Sequence, residues 1–230
     1  MSENLNNYLE LLNNQQRAAV VSSNGSLLVL AGAGSGKTRV LTFKILHLLL
    51  EKMAFPNQIL SVTFTNKAAN EMKTRVSSLV NYPIDKMWIG TFHSLSVKIL
   101  RKHSELVGLK SNFIIIDSDD QLKLLKQICE RENIDIKEKT PKYFATIIDR
   151  YKNKGFLPES IKVNKFKKDA EAVKIYNLYQ KELLRLNCAD FGDLILYCLI
   201  IFKENPSVSK NYQNLFKYIL VDEYQDINNV

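Results

Sequence analysis

The sequence predicts an α/β fold, in which a mostly parallel sheet carries helices on both faces and is interrupted by an inserted helical subdomain. Short apolar runs alternate with amphipathic helical stretches as far as Gly108. Residues 108–187 are helical in character and rich in charge, and strand character returns only in Tyr218–Val221. Because strands that alternate with helices usually form parallel sheets, we expect one sheet domain with helices inserted in it.

The first part of the chain contains three predicted strands, at residues 26–30, 59–64 and 87–92. A helix follows each of them, at residues 37–52, after Thr65 and at residues 94–103. The helix after Thr65, which is its expected cap, has its apolar residues three and four positions apart, as one buried helix face requires. These residues are Ala69, Met72, Val76 and Leu79.

Four further helices are predicted after Gly108. Thr140-Pro141 opens the second, and Asp190 caps the fourth, with Asp193 in its first turn. The predicted inward faces are Leu122, Leu125, Ile128 and Cys129 in the first helix; Phe144, Ile148 and Tyr151 in the second; Ala172, Ile175, Tyr179, Leu183 and Leu186 in the third; Leu194, Tyr197, Cys198 and Ile201 in the fourth.

Composition narrows the class of protein. The chain has 230 residues, of which 32 are Lys or Arg and 24 are Asp or Glu, so its formal net charge is +8. This charge favours an anionic partner such as nucleic acid, although solubility alone is the alternative. Cys129, Cys188 and Cys198 are scattered and indicate neither a disulfide framework nor a zinc site. Without a leader pattern or an apolar run of about 20 residues, a cytoplasmic protein with no membrane contact is expected.

The stretch AGAGSGKT, residues 31–38, is the strongest chemical signal. A glycine-rich turn between a strand and a helix presents backbone N–H groups to a phosphate, next to the positive end of the helix dipole. In this arrangement Lys37 reaches the β and γ phosphates of a nucleotide, and the Thr38 hydroxyl binds Mg²⁺. Ala31 stands where the strict pattern has glycine. The alternative is a glycine turn followed by an exposed lysine.

Asp222 and Glu223 follow the apolar residues of the last predicted strand. A phosphate-binding loop needs a carboxylate on another strand to orient Mg²⁺, and a second group to position or deprotonate water. Asp222 suits the first role and Glu223 the second. Taken alone, the pair is more typical of a solvated turn.

The chain resembles the N-terminal part of superfamily 1 DNA helicases of the UvrD/Rep/PcrA group. Five segments carry this resemblance, in the same order as in the family: LNNQQRAAV at residues 12–20, AGAGSGKT, TFTNKAANEM at 63–72, GTFHS at 90–94 and DEYQD at 222–226. The resemblance implies a RecA-like P-loop NTPase domain at residues 1–107 and 188–230, with a helical insertion subdomain at residues 108–187.

The resemblance also implies roles for single residues. Glu223, Asp222 and Lys37 would be catalytic, Thr38 and Asp222 would hold Mg²⁺, and Gln16, with Gln15 as its neighbour and alternative, would hydrogen-bond the adenine edge of ATP. The remaining nucleotide contacts would be Gly32, Ala33, Gly34, Ser35, Gly36 and Arg39. The implied DNA contacts are Thr63, Phe64, Thr65, Asn66, Thr91 and His93.

Two groups of residues keep alternative interpretations on physical grounds. Phe64 either offers an exposed ring on which a DNA base stacks or belongs to the core, and His93 is either a DNA contact or a structural histidine. The lysines of the insertion form either a solvated face or a contact to duplex DNA. They are Lys137, Lys139, Lys142, Lys152, Lys154, Lys162, Lys165, Lys167 and Lys168.

The resemblance finally implies what the complete protein does. It would be an ATP-dependent DNA helicase that moves 3′ to 5′ on single-stranded DNA and acts at single-strand/duplex junctions. Such proteins continue into a second RecA-like domain that supplies arginines, so we expect this chain alone to hydrolyse ATP weakly. A short nucleotide- or DNA-binding module without turnover is the alternative. An unrelated P-loop kinase or transferase leaves TFTNKAANEM and GTFHS unexplained.

Overall fold

The computed structural model describes residues 8–23, 25–32, 34–80, 83–161 and 170–226. Residue contacts divide the chain into two compact units. Within the described residues, the first unit comprises residues 8–95 and 210–226, and the second comprises residues 96–209. These limits differ from the predicted domain boundaries at 107/108 and 187/188, which stay a prediction about domain organisation.

The secondary structure is mixed α/β. The helices are α1 (Asn14–Val21), α2 (Lys37–Leu50), α3 (Asn66–Leu79), α4 (Phe92–His103), α5 (Ser118–Arg131), α6 (Pro141–Lys152), α7 (Ala170–Arg185), α8 (Phe191–Glu204) and α9 (Pro206–Leu215). The strands are β1 (Ile59–Val62), β2 (Trp88–Gly90), β3 (Ile114–Ile115), β4 (Cys188–Ala189) and β5 (Tyr218–Val221). No helix of the described residues combines the length and the apolar character that crossing a bilayer would require.

The strands pair in parallel, as the sequence predicts. In the first unit the order is β2-β1-β5, and both β2 and β5 run parallel to the central β1. Ser61 lies opposite Ile89 on one side and Leu220 on the other. Since parallel strands all end at the same edge, the residues that follow β1, β2 and β5 meet there. In the second unit β3 pairs in parallel with β4.

The prediction of a strand at residues 26–30 is wrong for this structure. These residues adopt no strand pairing, and their apolar side chains stay accessible, with Leu28 67% and Leu30 86% exposed. An apolar run favours extended backbone, but a strand also needs a partner to complete its hydrogen bonds. Among the described strands, β5 pairs only with β1 and keeps its other edge unpaired.

Other predicted elements are present with shifted ends. The helix predicted at residues 37–52 ends at Leu50, where Lys52 takes a positive φ of 53° and turns the chain away. The third helix of the charged region ends at Arg185, so the prediction of Leu186 as part of its buried face is wrong. Leu186 is 44% exposed, because Asn187, with a φ of 53°, redirects the backbone into β4.

The core of the first unit forms where α2 and α3 pack with the sheet. Ala69, Met72 and Val76 are buried, as their spacing predicts, and the Ser61 hydroxyl contacts the Met72 sulfur at 3.2 Å. Thr65 caps α3, since its hydroxyl accepts a hydrogen bond from the Ala68 N–H at 3.1 Å. This cap fixes the direction in which the chain leaves β1.

The second unit is mainly helical. Helices α5, α6 and α7 pack on one another around apolar and aromatic side chains that include Leu125, Phe144 and Tyr176. Thr140 and Asp190 cap α6 and α8 as predicted, and Asp193 completes a capping box with Asp190. The predicted faces of α5, α6 and α8 therefore point into the core, because local spacing and capping agree with the packing.

Candidate functional site

The glycine-rich loop leads directly into α2. Gly34 and Gly36 have positive φ values of 76° and 89°, which residues with a Cβ atom rarely adopt. Ser35 closes the loop, since its N–H and hydroxyl both donate to the Gly32 carbonyl, at 3.3 and 2.7 Å. Gly36 is the N-cap of α2 and provides no side-chain cap. The first-turn N–H groups of α2 are thus available to an anion. Ala33 lies outside the described residues.

Lys37 joins this loop to the end of β5. Its ammonium lies 3.9 Å from a carboxylate oxygen of Glu223 and 3.4 Å from the Ala31 carbonyl oxygen. Both charged side chains are about one-third exposed, at 33% and 34%. AGAGSGKT and DEYQD, which are far apart in the sequence, are therefore adjacent in the fold. Thr38, half-buried in the first turn of α2, follows Lys37 directly.

Asp222 continues the sheet beyond β5, since its N–H donates to the Val62 carbonyl at 2.8 Å. Asp222 is 7% exposed, and its carboxylate accepts a hydrogen bond from the Glu223 N–H at 3.1 Å. Burial, and then the negative charge of Glu223, raise the pKa of Asp222, while Lys37 and a hydrogen bond from Thr63 oppose that rise. A carboxylate that is costly to keep ionised here would gain from a nearby cation.

Glu223 has an unusual backbone conformation. Its φ is 51°, in the left-handed region that residues other than glycine seldom enter. The side chain accepts a hydrogen bond from the Gln225 amide at 2.6 Å and faces the Lys37 ammonium. Strain of this kind is concentrated at functional sites, where the fold holds a side chain in a required direction.

The oxygen donors suit Mg²⁺ better than a transition metal. The described residues contain no group of three or more His, Cys, Asp or Glu side chains that could hold a metal ion. Thr38 and Asp222 would together supply two oxygens. Mg²⁺ commonly binds with one or two protein oxygens and takes its other ligands from phosphates and water. The residues present therefore fit a Mg²⁺ ion that binds together with a phosphate ligand.

Gln16 lies against the phosphate-binding loop. Its amide nitrogen donates to the Ser35 carbonyl at 3.0 Å, and its amide oxygen accepts from the Asn13 N–H at 3.2 Å in a capping box that begins α1. A Cβ added to Gly36 would come within 2.9 Å of the Gln16 amide nitrogen. Arg39 is directed elsewhere, because its guanidinium donates to the Leu11 carbonyl at 2.5 Å.

A second set of predicted residues lies where β1 and β2 end. Phe64 is 67% exposed, so the structure decides against its interpretation as a core residue. Thr65 and Asn66 are exposed beside it. Thr63 and Thr91 are 2% and 9% exposed, so both are largely enclosed by the fold.

The turn between β2 and α4 is tight. The Thr91 N–H donates to the Ser94 hydroxyl at 2.9 Å, and the Ser94 N–H donates to the Thr91 hydroxyl at 3.2 Å. A Cβ on Gly90 would come within 2.5 Å of the Ser94 hydroxyl oxygen, so a larger residue there would displace the Ser94 side chain and its hydrogen bonds with Thr91. Sequence reasoning missed Gly90 as a site residue, although its position in GTFHS could have indicated it. Desolvation lowers the pKa of His93, which favours its neutral form.

The lysines of the second unit are divided by the structure. Lys137, Lys142 and Lys154 are exposed, and Lys139 forms a 2.5 Å ion pair with Glu171. Lys162, Lys165, Lys167 and Lys168 lie outside the described residues. The inclusion of Lys152 in a basic surface is wrong, because its side chain is wholly buried and bonded to Asp190 and Asp193.

Comparison with known proteins gives a consistent result. Residues 12–230 match the family model of the UvrD/REP helicase N-terminal domain. The chain is 46% identical over 228 residues to a DNA helicase II of Rickettsia typhi, which covers 96% of the chain and 34% of that protein. It is 44% identical over 225 residues to the ATP-dependent DNA helicase PcrA of Staphylococcus aureus, covering 97% of the chain and 31% of that protein. The chain thus spans about a third of the length of these relatives.

Proposed function

Since the chain belongs to the UvrD/REP helicase family, whose N-terminal domain it matches, we propose that it is the ATP-binding portion of a DNA helicase. The mixed α/β unit with parallel strands would be a RecA-like P-loop NTPase domain, and the mainly helical unit would contain its inserted subdomain. ATP is the proposed substrate and Mg²⁺ the proposed metal. The cytoplasmic location expected from the sequence stays a prediction.

One observation carries the proposal for the first unit. The Lys37 ammonium and the Glu223 carboxylate lie 3.9 Å apart, beside the uncapped N-terminus of α2. If a triphosphate bound at that helix end, Lys37 would give up its weak contact with Glu223. Lys37 and the first-turn N–H groups would then donate stronger hydrogen bonds to the phosphates. Glu223 would then be free to accept a proton from water, and Thr38 and Asp222 would hold Mg²⁺, whose charge polarises the phosphates.

Single-stranded DNA is the proposed ligand of the edge that follows β1 and β2. Phe64 offers an exposed ring for stacking, and Thr65 and Asn66 add polar groups suited to phosphate oxygens. Thr63 joins this edge to the nucleotide site, because its hydroxyl hydrogen-bonds the Asp222 carboxylate. His93 lies in the first turn of α4 and would contact DNA along the same edge, which would link the DNA to the nucleotide site.

For the complete protein, we propose ATP-driven movement along single-stranded DNA and unwinding at single-strand/duplex junctions. The relatives named DNA helicases are about three times as long as the segment that the chain matches. A 3′ to 5′ direction and a second RecA-like domain are part of this proposal through family membership.

Calorimetry with Mg²⁺ and ATP tests the nucleotide site. We expect weak but measurable binding by the 230-residue chain, and no measurable binding by Lys37→Ala, because hydrogen bonds to a charged group contribute about 1.5–3 kcal/mol each. Lys73→Ala, which removes an exposed lysine from α3, is the matched control and should bind like the unaltered chain. Equal ATP affinity in Lys37→Ala would show that AGAGSGKT is not a nucleotide loop.

A further inference from the structure

Lys44 occupies an unusual position in the first unit. Lys44 lies near the middle of α2, the residue is only 9% exposed, and burial lowers its pKa. Its ammonium donates to the Val20 carbonyl at 2.8 Å and also to the Ser22 carbonyl. Both acceptors lie at the C-terminal end of α1. Burying a charged ammonium costs free energy unless it is hydrogen-bonded, so we infer that these two bonds have a specific structural role.

The role of Lys44 is to stabilise the C-terminal end of the short helix α1. The last carbonyls of a helix have no partner within it and carry a partial negative charge, which a cation stabilises. Helix α1 has only eight residues, too few to be stable without contacts to the rest of the fold. Lys44 provides such a contact by tying the C-terminal end of α1 to α2.

The segment before α1 is tied to α2 as well. The Tyr8 hydroxyl lies 2.6 Å from the His47 ring nitrogen Nδ1, and Arg39 donates to the Leu11 carbonyl at 2.5 Å. Helix α1 is therefore held on both sides by residues of the helix that begins at the phosphate-binding loop. Gln16, in the first turn of α1, contacts the same loop through the Ser35 carbonyl. The location of Gln16 depends on how α1 is anchored.

We propose that Lys44 is a positioning residue that, by anchoring α1, holds Gln16 where its amide selects adenine over other bases. The inference rests on the proposed ATP site and on the adenine contact that the family resemblance implies for Gln16. A glutamine amide has one donor and one acceptor side, which match the N6 amino group and N7 of adenine. Lys37 and Thr38 belong to α2 itself, so they keep their places when α1 is loosened. Loss of Lys44 therefore reduces recognition of the base and spares recognition of the phosphates.

The affinities of the 230-residue chain for ATP, GTP and inorganic triphosphate, each with Mg²⁺, test this inference. In Lys44→Met, which keeps the side-chain length but has no donor, we expect ATP affinity to fall about tenfold, the lower end of what one bidentate base contact contributes. GTP and inorganic triphosphate should bind as before. Lys44→Arg retains a cation that reaches the same carbonyls and should restore most of the preference for ATP.

A double-mutant cycle separates positioning from general support. If Lys44 acts through Gln16, the variant that combines Gln16→Ala with Lys44→Met should discriminate between ATP and GTP no less than Gln16→Ala alone. Lys217→Met is the matched control. Lys217 also donates to a backbone carbonyl, that of Met53 at 2.7 Å, but it lies away from α1, and its loss should leave the ATP:GTP ratio unchanged.

Each outcome has a defined meaning. Equal losses for ATP, GTP and inorganic triphosphate in Lys44→Met would overturn the inference, as would an unchanged ATP:GTP ratio. If Lys44→Met does not fold, Lys44→Gln provides the same comparison, because its shorter side chain removes the charge and does not reach the two carbonyls as the Lys44 ammonium does. If the unaltered chain binds none of the three ligands, the proposed ATP site fails, and that failure is distinguishable because it does not depend on Lys44.

Discussion

At the scale of single residues, the site consists of charged groups that form weak ion pairs or are buried at a cost in free energy. The 3.9 Å pair between Lys37 and Glu223 is partly exposed, and pairs of this kind contribute little to stability. Asp222 has a raised pKa, because burial and its neighbour Glu223 both disfavour its charge. A bound Mg²⁺–nucleotide complex would improve the surroundings of all three residues, so they are suited to binding more than to holding the fold together.

Phe64 gives a prediction at this scale. Its ring is 67% exposed, so Phe64→Ala should leave folding intact and weaken single-stranded DNA binding by about 1–3 kcal/mol, the contribution of one stacked base. The loss should appear at low and high salt alike, because stacking does not depend on counterion release. Fluorescence anisotropy with a labelled oligonucleotide measures it.

Phe55→Ala is the matched control for Phe64. Phe55 is 72% exposed but precedes the N-terminal end of β1, at the opposite end of the strand from Phe64. DNA affinity should therefore stay the same in Phe55→Ala. Indistinguishable binding by Phe64→Ala and the unaltered chain would remove Phe64 from the proposed DNA surface.

At the scale of elements, the ends of helices carry the most specific interactions of the second unit. Lys152, at the C-terminal end of α6, bonds at 2.7 Å to both Asp190 and Asp193 at the start of α8. The Tyr179 hydroxyl of α7 donates to Asp190 at 2.9 Å. Gly192 leaves the space that the Lys152 chain needs, since a Cβ there would come within 2.9 Å of it. The cluster joins three helices through one buried cation.

The charges of this cluster predict a pH-dependent stability. Burial, and then the Asp190 carboxylate, raise the pKa of Asp193 to about 6. Because this folded-state pKa lies above the ordinary value, protonation of Asp193 favours the fold, and its contribution is lost as the pH rises through about 6. Burial opposes ionisation of Asp190 too, but Lys152 lowers its pKa overall.

Lys152→Met should therefore destabilise the chain by about 3–5 kcal/mol at neutral pH, since it leaves buried carboxylates without their cation. The loss should be smaller at pH 5 than at pH 8, because a protonated Asp193 carries no charge that needs a partner. Denaturant unfolding at the two pH values provides the measurement. Lys174→Met, which removes an exposed lysine from α7, should have a small effect at both, and an equally small effect of Lys152→Met would contradict the interpretation.

At the scale of the whole molecule, each arginine of the first unit already has a partner within that unit. Arg17 donates to the Leu9 carbonyl, Arg39 to the Leu11 carbonyl, and Arg75 pairs with Glu71 at 3.7 Å. An arginine that stabilises the transition state of phosphoryl transfer contributes roughly 10³–10⁵ in rate. In the described first unit, the arrangement can bind a nucleotide but has no such arginine in place.

We therefore expect the 230-residue polypeptide to show almost no DNA-stimulated ATP hydrolysis. A longer polypeptide, with the length of the helicase relatives, should hydrolyse ATP when DNA is added. In that longer protein, Glu223→Gln should bind nucleotide and lose turnover, because an amide cannot accept the proton of the attacking water. Steady-state phosphate release measures both. Vigorous DNA-stimulated hydrolysis by the 230 residues alone would contradict the need for an additional arginine.

The sequence by itself determined the local features of this protein. Caps at Thr65, Thr140 and Asp190, the apolar faces of the helices and the order of the motifs were all predictable. These features depend on residues within about four positions of one another, or on motifs whose side chains have a chemistry of their own. Sequence reasoning also paired the phosphate-binding loop with Asp222 and Glu223, because such a loop needs a carboxylate from the end of another strand.

Only the tertiary structure decided which side chains are buried and which backbone segments pair. It left the apolar residues 26–30 unpaired, enclosed Thr63 against Asp222, buried Lys152 within a helical core and set Lys44 on the carbonyls of α1. Each outcome depends on a partner far away in the chain. A lysine or a short apolar run reads the same in sequence whether that partner is present or absent, because burial and strand pairing are properties of the assembled surroundings.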